Sequence, residues 1–141
     1  MQASSDHIST HLSYTCLYTT GLSREELLEA MRARRAYGAT DNILLDYRLV
    51  EPNGAEHLMG ASVTVRSAPR LRVHASGTAP IRRLDIIRNA RYIYTAEPGK
   101  SEAGITFTDS EAAPGEYSYY VRVLQYDGQL AWSSPIWVTR K

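Results

Sequence analysis

The chain has 141 residues, 16 basic and 15 acidic side chains, and a formal net charge of +1. That length suits one ordinary domain with its own core, and a hydrophobic share of 43% excludes general disorder. Near-neutrality gives no global attraction to nucleic acid or acidic membranes, the single cysteine, Cys16, excludes a disulfide framework, and apolar runs of a few residues exclude a helical membrane span.

Met1 to His7 has neither the basic start nor the apolar stretch of a secretory signal, so a cytoplasmic location is expected. A strand-like run around Tyr14, Cys16, Leu17 and Tyr18 follows. Cys16 has no basic neighbour to lower its pKa and reads as a structural thiol. The helix signal comes next. Ser23 and Glu26 form a capping box, each satisfying an orphan backbone N–H. Leu22 and Leu27 stand at hydrophobic-staple positions, and Leu27, Leu28 and Met31 make an apolar stripe at helical spacing. Acids in the first turn and Arg32, Arg34 and Arg35 at the end suit the helix dipole. These features predict a helix over 24–35, with Gly38 as its terminator.

From residue 43 onward short strands alternate with turn residues. Ile43, Leu45, Tyr47 and Leu49 share one face, and Pro52-Asn53-Gly54 marks a turn. Val63 and Val65, then Leu71, Val73 and Ala75, then Leu84 and Ile86 continue the period of two. Asn89-Ala90 separates 81–88 from a short strand over 91–95, and Ile105 and Phe107 lie in another. Tyr117, Tyr119, Val121 and Val123 form one face of 116–126. Asp127-Gly128 predicts a hairpin whose two central residues both have positive φ. The last strand, with Trp132 and Trp137, is interrupted by Ser133-Ser134-Pro135, which predicts an edge position or a bulge.

The expected fold class is mainly β: an immunoglobulin/fibronectin-III-like antiparallel sandwich over 41–141, preceded by one strand–helix unit within 1–40. A tyrosine of the Tyr117–Tyr120 stretch is expected to hydrogen-bond nearby backbone, as in the penultimate strand of such sandwiches. An isolated strand–helix pair cannot bury its stripe alone. It must dock on the sandwich, pair with another chain, or end something larger.

Few residues suggest chemistry. Asp6, His7 and His11 are of metal-ligating types, although the same residues also read as a polar terminus. His57 is isolated, and His74 falls on the polar face of its strand. Residues 66–91 hold seven arginines against Asp85 alone, whereas 97–127 is acidic, so mutual neutralisation across strands is expected. The tyrosines and tryptophans read mostly as core, with a carbohydrate-stacking surface as the other reading. No phosphate loop, CxxC, HExxH or GxSxG pattern occurs.

The order of segments resembles the C-terminal end of certain hydrolases of the PHP (polymerase and histidinol phosphatase) superfamily. The resemblance is carried by Ala3-Ser4-Ser5-Asp6-His7, the run from Leu22 to Thr40, Ile43-Leu44-Leu45-Asp46, Ile86-Ile87-Arg88-Asn89 and the run from Gln129 to Val138. It covers nearly all of this chain but only the last part of such an enzyme. It implies a parent with a distorted β/α barrel, a cluster of divalent metal ions (zinc, manganese or iron) and phosphoester hydrolysis. By that likeness His7 and Asp6 match a late metal-binding segment just before the final barrel helix. The family's other metal ligands have no counterpart here, and a catalytic metal generally takes three protein ligands plus water. The chain alone is therefore expected to hold no cofactor and show no turnover, as a truncated frame or excised piece acting as a structural or accessory module. Its partner would be the missing barrel domain or a second copy, met through the 24–35 helix. The alternative is a free-standing binding module for a carbohydrate or an acidic partner.

Overall fold

The computed structural model describes residues 3–4 and 13–141. The chain opens with β1 (Tyr14–Leu17), α1 (Arg24–Arg32) and β2 (Ala36–Ala39). It continues through β3 (Leu44–Val50), β4 (Glu56–Leu58), β5 (Ser62–Val65), β6 (Arg70–Ser76), β7 (Ile81–Arg88) and β8 (Arg91–Ala96). It closes with β9 (Glu102–Thr108), β10 (Gly115–Gln125), β11 (Leu130–Ser133) and β12 (Ile136–Arg140).

Alternating apolar residues make two sheets that bury their facing sides. The smaller has four strands in the order β4-β3-β6-β9. The larger has eight, with β10 at its centre: β7 and then β8 lie along one edge of β10, and β11 and β12 share the other. Leu45, Tyr47 and Leu49 from β3, Leu71 and Val73 from β6, and Tyr119, Val121 and Val123 from β10 meet in one core. Removing that apolar area from water is the main driving force. In chain order β3, β6 and β9 build one layer while β7, β8, β10 and the final strand build the other, which is the expected immunoglobulin/fibronectin-III-like sandwich. The anticipated tyrosine is Tyr117, whose hydroxyl donates to the Ala113 carbonyl at 2.8 Å.

The strand–helix unit docks on this sandwich by joining its larger sheet. β1 pairs with β2, and β2 pairs with β11, all antiparallel. The sheet thus crosses the 40/41 boundary between the two segments. The capping box is present: the Glu26 N–H donates to Ser23 Oγ at 3.3 Å, and the Ser23 N–H to Glu26 Oε2 at 3.1 Å. The staple is not, since Leu22 is 87% exposed.

The helix also ends earlier than its periodicity suggests. Ala33 caps it, Arg34 takes a left-handed φ of 57°, and the N–H groups of Arg34 and Arg35 return to the carbonyls of Met31 and Ala30. This is a Schellman motif with arginine where glycine is usual. Gly38 is not the terminator. It lies inside β2, all four residues of which are buried and which β1 and β11 pair along its two edges.

Two turns differ from expectation. At Asp127-Gly128 only Gly128 has positive φ, and Gly128 N–H and Gln125 N–H bond across a longer connection. The two-residue turn with both φ positive is instead Asn89-Ala90, between β7 and β8. The final strand is not an edge. It splits at Ser134-Pro135, so that β11 lies between β10 and β2 while β12 lies between β10 and β5. Pro135 falls at the switch of neighbours, where no ladder donor is needed.

Polar ties cross the two layers. The Tyr47 hydroxyl donates to the Tyr119 carbonyl at 3.2 Å. Asp109, just past β9, accepts from Arg88 at 2.7 Å and from the Tyr119 hydroxyl at 2.8 Å through the same Oδ2. Burial pushes the Tyr18 phenol up to about 12, and raises Tyr37, Tyr47 and Tyr119 further, Tyr119 with help from Asp109. A phenol with a folded pKa above its unfolded value stabilises fully below about pH 10 and loses that contribution as pH rises through the folded value. The 295 nm absorbance of these four phenolates is therefore expected to appear only above pH 10, together with loss of the near-UV circular dichroism. Full ionisation of all tyrosines with that signal intact would contradict the assignment.

Candidate functional site

Asp6, His7 and His11 lie outside the described residues. Among the described residues no group of three or more His, Cys, Asp or Glu side chains comes together as a metal site requires. The divalent ion that the resemblance implies therefore finds no donor set in them. His57 Nε2 sits 2.6 Å from Glu51 Oε1, His74 is exposed on β6, and Cys16 is half-buried against the core. The structure brings none of these three to a common point.

Several of the arginines of 66–91 are engaged by acids. Arg72 pairs with Glu56 at 2.5 Å and Arg88 with Asp109 at 2.7 Å. Arg72, with Arg48 beside it, holds the Glu56 carboxyl below its ordinary range. Arg83 Nε reaches the fully buried Asp85 at 2.6 Å, with Thr95 Oγ1 at 2.7 Å, while Arg83 and Arg122 both stack over Tyr92. Of the seven arginines, Arg72, Arg83 and Arg88 are thus neutralised, Arg88 alone by an acid of 97–127, while Arg66, Arg70, Arg82 and Arg91 enter no ion pair among the described residues.

Two surfaces remain. The first is the seam between the helix end and the β4–β5 turn. Arg34 Nε donates to the Gly60 carbonyl at 3.0 Å, and the Gly60 N–H donates to the Pro135 carbonyl at 2.8 Å. Arg34 also stacks its guanidinium over Trp137 at 4.9 Å. A cleft of about 610 Å³ runs along this seam, lined in part by Tyr18, Arg35 and His57. Above it α1 buries only Ala30 fully; Leu27 and Leu28 are half-buried, and Met31 is 54% exposed.

The second is a groove of about 610 Å³ on the outer side of the larger sheet. In β12, Ile136 and Val138 point into the core, so Trp137 and Thr139 point out. Register places Ser62 and Ser118 beside Trp137, and Thr64 and Glu116 beside Thr139. Asn89, from the β7–β8 turn, closes one end and accepts from the backbone N–H of Ser118 at 2.8 Å. Trp137 is 38% exposed, and Arg34 covers it from outside the groove. By sequence pattern the aromatic residues belong mostly to the core. Tyr37, Tyr47 and Tyr119 are there, but Tyr92, Tyr126 and Trp137 are exposed. The signal was available: Trp137 alternates with two core residues and must face the other way.

Fold and surface together define a two-layer β-sandwich with an added strand–helix unit and an outward aromatic groove. No family model matches the chain. It is 31% identical over 137 residues to an uncharacterized protein of Chlamydia pneumoniae, a match covering 88% of this chain and 22% of that protein. Uncharacterized proteins of Chlamydia trachomatis serovar D and Chlamydia muridarum are each 29% identical over the same coverage. The chain thus spans about 22% of the length of the curated relatives it matches. Among solved structures it is similar to fibronectin(III)-like modules of Clostridium thermocellum CbhA, with a TM-score of 0.40, 16% identity, and coverage of 67% of this chain and 95% of that one. No helix is long and apolar enough to cross a membrane, among the described residues.

Proposed function

We propose that this chain is a non-catalytic structural module of a longer, PHP-like metal-dependent phosphoesterase, and that its helix packs against the barrel domain of that parent. The observation that carries this reading is the construction of the 14–39 segment. Its strands are hydrogen-bonded into the sandwich sheet, whereas α1 rests on it lightly and leaves Leu22 and Met31 in water. A rigidly anchored segment with an uncovered apolar side suits a coupling element between two domains. The partial span of the relatives supports the same reading, since in those proteins the matched region is one part of a chain several times longer. The sandwich would then buttress the barrel, and water activation at phosphorus would belong to the parent's own metal ligands.

The test is phosphoester hydrolysis by this chain with added zinc or manganese. No turnover above the metal-only blank is expected. Metal-dependent turnover that disappears in His7→Ala would overturn the reading.

A further inference from the structure

We infer that the outer groove around Trp137 is a subsite for a neutral saccharide, whatever reaction a parent protein performs. A pyranose ring offers a C–H face that packs on an aromatic surface and a rim of hydroxyls that both donate and accept. The groove supplies both halves. Trp137, 38% exposed, contributes a ring with the Arg34 guanidinium stacked 4.9 Å from its centroid. Ser62, Thr64, Thr139 and Glu116 line the same depression, and none makes a side-chain hydrogen bond or ion pair among the described residues. Glu116 can accept two neighbouring hydroxyls at once, a charge-assisted arrangement stronger than neutral pairs.

The charge of the surface decides between classes of ligand. Among the lining residues Glu116 carries the only charge, and the Arg34 guanidinium nearby is taken up by the Trp137 ring, so the lining itself supplies no cation to grip a polyanion. The apolar part of the lining is limited to Val63, Tyr117, Trp137 and Val138, which gives a long apolar peptide or helix little to bury. Strand geometry sets the layout. Neighbouring strands are about 4.8 Å apart, so Ser62, Trp137 and Ser118 form one row and Thr64, Thr139 and Glu116 the next. Together the two rows are comparable to the width of one or two sugar rings.

The second tryptophan, Trp132, lies on β11 outside the groove, so Trp132→Phe leaves Trp137 as the only indole reporter. In that background, titration with cellohexaose, mannohexaose and laminarihexaose is expected to give a saturable change in Trp137 emission with at least one of them. Glu116→Gln and Thr139→Val keep the ring and the fold, as circular dichroism can verify, and each is expected to weaken binding about tenfold. No spectral change with any of the three up to about 10 mM would overturn the inference. So would a response that both variants leave untouched, or binding to heparin in place of the neutral hexasaccharides.

Discussion

Asp109→Ala is expected to cost about 3–5 kcal/mol, the range for removing one partner of a buried ion pair. That is a large share of the stability of an ordinary domain. Asp109 is 2% exposed, and its Oδ2 accepts from both Arg88 and the buried Tyr119 hydroxyl. Its own N–H bonds the Pro69 carbonyl at 2.9 Å, fixing the end of β9 against the start of β6. Alanine would leave the buried Tyr119 phenol and the part-buried Arg88 guanidinium without this acceptor, and the penalty comes from those orphans more than from the lost pair. Urea denaturation measures it. Asp109→Ala combined with Arg88→Met should recover much of the loss, because the uncompensated charge is gone. A cost below about 1 kcal/mol for the single substitution would mean that the tie between the layers lies elsewhere.

Gly60→Ala is the second large effect, at roughly 3 kcal/mol or more. Gly60 has φ +91°, where a side chain costs about 1–2 kcal/mol. A Cβ there would also meet the Ala33 and Arg34 carbonyl oxygens and the Arg34 carbonyl carbon, with Ala33 O at 2.5 Å. These are backbone atoms of the Schellman turn and cannot swing aside, so displacement adds another 1–3 kcal/mol or so. Moving them would disturb the Arg34–Gly60 hydrogen bond and the Arg34–Trp137 stack together. Trypsin cleavage after Arg34 and Arg35 should accelerate along with the loss of stability. Gly54→Ala is the matched control. Its φ is +87°, but a Cβ meets nothing within 4 Å, so only the conformational cost remains. Equal losses at the two glycines would refute the interlock.

Wherever one face of an element is buried against a partner adjacent in the sheet, the sequence was readable. Ile43, Leu45, Tyr47 and Leu49 alternate with exposed or half-exposed neighbours and all reach the core. The capping box could also be read, because Ser23 and Glu26 are three residues apart and need nothing else. Of the coupling expected between the basic and acidic stretches, the structure shows Arg88–Asp109, whereas Arg72 and Arg83 take their acids from outside 97–127. What local pattern could not supply was β2. Ala36-Tyr37-Gly38-Ala39 has little strand propensity and no alternation, since all four residues are buried. It becomes a strand because β1 and β11 present free ladder groups on either side.

The candidate groove shows the same division. Composition showed ten tyrosines and two tryptophans, and period two put Trp137 opposite the core. Which hydroxyls and which carboxylate would stand beside it depended on strands from three distant parts of the chain. Asp6 and His7 carry the resemblance in sequence and lie outside the described residues, among which no three His, Cys, Asp or Glu side chains gather.

By itself, then, the sequence determined the β-sandwich, the helix start and the facing of most strand residues, because those depend on spacing within a few residues. Only the tertiary structure decided that the strand–helix unit extends the sheet, that the last strand changes neighbours at Pro135, and that Trp137 lies in an outer groove beside hydroxyls and a carboxylate. Each of those outcomes is set by which backbone edges remain unpaired once the core has closed, and such edges are not written in any local pattern.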